Sequence, residues 1–298
     1  MTDFLIYWFM LPLSTMVATT AMLGGIGGAA MFVPIFLILF PFLGPEYVLA
    51  GPVAAIGVAL LTESFGFSSG LIGYLRRGLI DFGVAKPFIL LAVPAAIAGA
   101  LLSNFANPDV LKLAYGALML ILTFFLLRRP KPKEMEIITT NAQHGAYAHI
   151  GHKRSVTTKE GIVYNYHICH RNRGSYVTSV GGFITGLMSV GIGEVLMPQL
   201  VRHCKIPVPV AAATSVLVVI VTVMSASFTH ISSLISEGGI EAVPWHLVAY
   251  TAPGVIIGGQ IGSRLQGRIP SEKMERIVAT LFGVIGIAMI WIVIGQLL

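Results

Sequence analysis

Six stretches of this chain, at about 47–73, 84–104, 108–127, 208–235, 243–263 and 272–296, run for roughly 20 residues or more with almost no charge. That is the length an α-helix needs to cross about 30 Å of hydrocarbon, where every backbone N–H and C=O must find its partner inside the segment. Hydrophobic residues make up 55% of the sequence and charged residues 11%, with a mean hydropathy of +0.84. Such a composition excludes a soluble globular domain and makes the lipid bilayer the first partner. The opening segment from Phe4 has neither a basic flank nor a small-residue cleavage site, so it is expected to stay in the protein.

The net charge of +6 does not point to nucleic acid. Its basic residues lie in short loops beside the spans, where membrane orientation accounts for them. Cys169 and Cys204 form no CxxC pair, which leaves free thiols rather than a disulfide framework or a structural zinc site.

The spans fall into two triplets, each preceded by a shorter, glycine-broken segment at about 4–42 and 176–203. The match reaches individual residues. "MLGGIGG" at 22–28 lies over "MSVGIGE" at 188–194, "VLAGPVAAIGVALL" at 48–61 over "VAAATSVLVVIVTV" at 210–223, and "VPAAIAGA" at 93–100 over "APGVIIGG" at 252–259. Internal repeats of this length characterise transporters, whose halves enclose a site at the bilayer midplane. If each broken segment is a hairpin returning to its own side, all 19 Lys and Arg except Lys112 share one face. The positive-inside rule makes that face cytoplasmic and puts both termini on the other. The expected fold is therefore an all-α polytopic bundle of two inverted repeats, 1–127 and 176–298, each a re-entrant hairpin plus three spans, joined by a cytoplasmic insert at 128–175.

Within the insert, "SVTTKEGIVYNYHIC" alternates polar with β-branched or aromatic residues about Glu160-Gly161, which predicts a short β-hairpin. His144, His149, His152, His167 and His170 gather there with Cys169, but the spacing fits no closed tetrahedral metal site. No metal or cofactor is expected, and the insert reads as a small solvated lobe. "GIGGAA" satisfies a dinucleotide fingerprint in letters only, since no strand precedes it.

A helix broken inside a membrane frees backbone groups that lipid cannot satisfy, so such breaks persist only beside protein or a water-lined cavity. Gly24, Gly25, Gly27 and Gly28 in the first half, with Gly191 and Gly193 in the second, mark the candidate site. Exposed helix starts there would supply free N–H groups and a positive dipole end for an anion. Hydroxyls of the second span in each half can complete the cradle: Thr62 and Ser64, then Thr214, Ser215 and Ser225, although many such groups bond only to the preceding turn. Glu63, in "VALLTESFGF", and Glu194, at the second break, are acids inside apolar segments, which makes them candidates for proton coupling. His230 in "ASFTHISS" is a third candidate relay.

The paired breaks "GGIGGAAMFVP" and "GIGEVLMPQL", followed by "VAAATSVLVV", resemble the TauE/SafE family of membrane proteins, often called sulfite exporters. The resemblance covers nearly the whole chain outside the insert. It implies a bacterial inner-membrane transporter for sulfur-containing anions such as sulfite or organosulfonates, usually in export. It also implies that Gly25, Gly27, Gly28, Gly191, Gly193 and Glu194 form the substrate region. The first half carries Gly28 where the second carries Glu194, so a symmetric clamp is not expected. The alternatives are an uptake permease for sulfite or thiosulfate, an intramembrane enzyme using Glu63, Glu194 and His230, and a membrane subunit whose insert recruits a partner. The enzyme reading lacks an H-E-x-x-H pattern or a nucleophile beside a base. A homo-oligomer is compatible with the sequence.

Overall fold

The computed structural model describes residues 5–24, 27–128, 152–159, 161–168, 171–202, 206–265 and 271–297. The first broken segment is α1 (Met10–Gly24) and α2 (Ala29–Leu43), the latter with a π-helical turn over Ile35–Leu39 directly after Pro34. A proline lacks the N–H its turn requires, and the widened turn absorbs the defect. Three long helices follow: α3 (Pro52–Arg77), α4 (Phe82–Ser103) and α5 (Pro108–Leu127). Strands β1 (His152–Thr157) and β2 (Val163–Ile168) pair antiparallel, with His152 opposite Ile168 and Thr157 opposite Val163. The second half repeats the pattern as α6 (Arg171–Met188), α7 (Ile192–Arg202), α8 (Val208–Gly238), α9 (Trp245–Leu265) and α10 (Ser271–Leu297).

Helix boundaries follow local chemistry. Pro52 and Pro108 stand in first turns, where a missing N–H costs nothing. Asn107 and Asp81 cap α5 and α4 by accepting backbone N–H bonds. At its other end α3 stops at Gly78, whose φ of 69° favours glycine. Five of the described helices are long and apolar enough to cross a membrane. The sixth expected span, α9, has the length but carries Gly254, Gly258, Gly259, Gln260 and Gly262, which lower its apolarity.

The two halves exchange partners. Helix α1 packs along α9, and α6 packs along α4; α3 lies beside α9, and α8 beside α4. Thr62 meets Thr251 and Ser69 meets Gln260, so α3 and α9 run parallel. Asp81 meets Thr214 and Asn104 meets Ser233, so α8 and α4 do the same. The equivalent helices α5 and α10 instead run antiparallel, because Gly116 faces Ile290 whereas Thr123 bonds to Ala279 O. Swapping the halves therefore maps the bundle onto itself with helix directions reversed, which is an inverted repeat.

Small residues make these seams close. A methyl group on Gly186 would fall on the Ala96 carbonyl oxygen, and one on Gly258 would fall on the Thr15 carbonyl oxygen. Such backbone approach is how membrane helices associate where burial of apolar surface gives no drive. Phe228 and Trp291 point outward, 75% and 79% exposed, as lipid-facing side chains do.

Candidate functional site

Both broken segments are hairpins. In the first, the Tyr7 and Phe9 rings lie within 5.8–6.3 Å of Phe40 and Tyr47, so its ends sit together, and Gly27 and Gly28 stand at the tip ahead of α2. In the second, Ser189 takes φ 63° and Gly191 φ 139°, turning the chain back so that the Ile192 N–H reaches Thr185 Oγ1 of α6 at 2.8 Å. Gly191 is required twice over: its φ suits glycine, and a Cβ there would stand 3.0 Å from Gly181 O.

The two tips meet. Gly27 N–H donates to Glu194 Oε1 at 3.1 Å, and a Cβ on Gly193 would lie 3.6 Å from Gly27 N. Glu63 approaches the same glycine from α3, its Oε1 2.9 Å from where a Gly27 Cβ would stand. The Glu63 carboxyl faces the backbone amides of Gly28 and Ala29, while its Oε1 has no hydrogen-bond partner. Glu63 is 4% exposed and Glu194 6%. From α5 the buried Tyr115 donates its hydroxyl to Ala30 O at 2.8 Å, beside both acids. Next to Glu63 lies a cavity of ≈ 30 Å³ bounded by Met22, Gly28, Phe32, Phe67 and Val255, room for a water or two.

The expected cradle of free amides takes a different form. Glu194 Oε2 accepts Gly191 N–H at 3.0 Å and Oε1 accepts Gly27 N–H; Thr185 takes the Ile192 amide. The chain's own side chains fill the acceptor positions, because an unpaired amide at this depth costs several kcal/mol, of the order of 2–7.

The hydroxyls scatter. Ser64, Ser215 and Ser225 donate to their own helices, at Leu60 O, Ala212 O and Val221 O. Thr62 pairs with Thr251 between α3 and α9, and Thr214 accepts the Asp81 amide near the start of α8. His230 is wholly buried; its Nε2 lies 2.7 Å from Gly186 O and its Cβ presses on Gly57. It ties α8 to α6 at Gly186, the residue after Thr185, and lies eleven residues along α8 from Val219. Gly24 closes α1 and Gly28 is buried beside Ala21 and Phe32, whereas Gly25 lies outside the described residues.

The repeat register also shifts. Helix starts pair Pro52 with Val208, where the sequence match paired Val48 with Val210. The structural register sets Glu63 opposite Val219, and Val219 is indeed the side chain near Gly193, 4.0 Å from its Cβ position.

The β-hairpin is not a free lobe. Asp81, 5% exposed, caps α4 through Gly83 and Val84 and receives Arg154 Nη1 at 2.6 Å and the Tyr166 hydroxyl. Lys159 N–H adds a bond to Arg77 O at 3.1 Å. Burial, and then the bond to Asp81, hold the Tyr166 hydroxyl well above its ordinary range, so it remains a donor. Asp81 N–H reaches Thr214, so this cluster joins the insert to both halves. Of the insert histidines, His144, His149 and His170 lie with Cys169 outside the described residues. Among the described residues there is no group of three His, Cys, Asp or Glu able to hold a metal ion.

The sequence profile of a family described as sulfite exporter TauE/SafE matches residues 4–289. Two similar proteins come from Bacillus subtilis (strain 168). Probable membrane transporter protein YunE is 24% identical over 286 residues, 94% of this chain and 95% of the relative. Probable membrane transporter protein YjnA is 23% identical over 280 residues, 90% and 93% of the two chains. A Sinorhizobium protein, probable membrane transporter protein ORF9, is 28% identical over 94 residues, 31% of this chain and 36% of that one. No solved structure matches.

Proposed function

The chain belongs to the sulfite exporter TauE/SafE family of membrane transporters, and on that premise we propose that it carries a small sulfur-containing anion, sulfite or an organosulfonate, out of a bacterial cell. Residues 1–127 and 176–298 act as the two repeats, which expose the meeting point of the hairpin tips alternately to each side. The observation that carries this reading is the Gly27 N–H to Glu194 Oε1 bond, in which the tips of two inverted repeats touch at a buried carboxyl group. The charge distribution supports an inner-membrane orientation with the insert cytoplasmic and the termini periplasmic. An inside-negative potential favours anion exit by about 2.3 kcal/mol per charge per 100 mV.

Glu63 and Glu194 are the candidate proton carriers, since both sit at the tips with Tyr115. His230, the third candidate relay, bonds the Gly186 carbonyl one residue from Thr185. Gly27, Gly28, Gly191 and Gly193 supply backbone and space, and Thr62, Ser64, Thr214, Ser215 and Ser225 have structural bonds as their first duty. The test is counterflow in proteoliposomes with sulfite, sulfate and small sulfonates, with and without a proton gradient. Exchange of at least one sulfur anion is expected; no exchange of any of them discards the proposal.

A further inference from the structure

The bond from Gly191 N–H to Glu194 Oε2 is ordinary for a helix start, where an acid three residues in reaches back to the capping position. The other oxygen has no such local reason. Oε1 leaves its own hairpin and accepts Gly27 N–H from the opposite one. One carboxylate thus bridges an amide from each repeat, 3.1 and 3.0 Å away. Across Gly27 a second buried carboxyl, Glu63, aims an unpartnered oxygen at the same point.

We infer that the Glu194 carboxylate is a resident stand-in for the transported anion, filling the two-amide cradle that a small oxyanion takes up once the side chain swings away. The ligand class follows from the geometry: two oxygens on one atom, as in a carboxylate, sulfinate or sulfonate head, span the two N–H groups as Oε1 and Oε2 do. The inference rests on reading the hairpin tips as the transport site and adds how that site stays satisfied without cargo. Broken helices inside a membrane cannot leave amides without acceptors, so a carrier returning empty needs an internal one. Glu194 provides it from one repeat only, since the matching position in the other is Gly28.

The test uses the full-length protein in detergent and titrates it with sodium acetate by calorimetry at constant ionic strength. In E194A the vacated cradle should bind acetate at least tenfold more tightly than in the unmodified protein. In E194Q the carboxamide keeps the bulk and one acceptor in place, so acetate should remain weak. Equal acetate affinity in all three proteins, or a folded E194A that binds none, overturns the inference. Should E194A not fold, E194D takes its place: one methylene shorter, it cannot span both amides, and acetate affinity should rise above that of the unmodified protein; no rise overturns the inference. Counterflow by the unmodified protein separates the two readings. Sulfur-anion flux without acetate binding to E194A removes the stand-in alone, whereas acetate binding without flux removes the transport reading alone.

Discussion

Gly27 and Gly193 match in the repeat, yet a single added methyl group should have opposite consequences at the two. At Gly27 the new carbon would stand 2.9 Å from Glu63 Oε1 and 3.4 Å from Glu194 Oε1. The first distance is shorter than packed carbon and oxygen tolerate, so the Glu63 carboxyl must shift toward the adjacent cavity and away from its place against the Gly28 and Ala29 amides. Overpacking of this kind costs about 1–3 kcal/mol, which corresponds to a roughly 5–150-fold loss in any equilibrium that needs the tight geometry. At Gly193 the nearest atoms would be Gly27 N at 3.6 Å and Val219 Cγ2 at 4.0 Å, ordinary contacts. Alanine there also favours the helix by roughly 0.5–1 kcal/mol. Proteoliposome counterflow should therefore fall steeply in G27A and persist in G193A, with both proteins inserted equally. Leucine at Gly193 should abolish flux, because its further carbons enter the gap between the tips. Full flux in G27A, or equal loss in the two alanine variants, refutes the reasoning, since the first makes Gly27 a packing residue and the second removes the asymmetry.

Three further changes probe the frame. G186A should lower the melting temperature in detergent sharply, because its methyl group meets the Ala96 backbone, whereas G73A, with nothing within 4 Å, should leave it unchanged or raised. D81A removes the α4 cap and leaves the buried Tyr166 hydroxyl unpaired, for a loss of about 2–4 kcal/mol; Arg154, 43% exposed, adds little. Limited proteolysis should then cut the β-hairpin, and unchanged protection would contradict its docking on Asp81. Y115F leaves the buried Ala30 carbonyl without its donor, at about 1–3 kcal/mol, and should lower thermal stability while preserving insertion; an unaltered melting curve speaks against that bond.

Much of the architecture could be read from the chain because membrane constraints act on composition. Apolar length located the long helices to within a few residues, and alternation about Gly161 located the β-hairpin. The inverted relation was legible in where Lys and Arg fall. Long-range contacts were not. Tyr115 sits in "LAYGALML", one polar group in an apolar run, and nothing local announces that its hydroxyl reaches Ala30. Thr185, one turn before the second break, offered a signal, since a hydroxyl so near a helix interruption has a free amide to accept. Nothing local to Asp81 announces its role, which depends on Arg154 and Tyr166 arriving from the insert. The repeat register slipped because small and β-branched residues recur throughout both spans, so that similarity of letters constrains alignment less than helix starts do.

The asymmetry of the acids bears on how the proposed transporter works. An inverted pair with identical chemistry would offer the same site to either side after exchanging its conformations. Here Glu63 stands opposite Val219 and Glu194 opposite Gly28, so each half contributes one acid at a place where the other contributes none. The inward- and outward-facing states then differ in free energy, and the anion and any coupled proton meet unequal affinities on the two sides. Unequal affinity cannot by itself drive net flux, because a cycle that returns to its start without a gradient does no work. Direction belongs to the anion gradient and the membrane potential. What the two acids can set is the cost of the empty return, and that cost should appear as a difference between exchange and net transport rates in E194A against the unmodified protein. A variant whose two rates change in the same proportion would assign the carboxylate to binding alone.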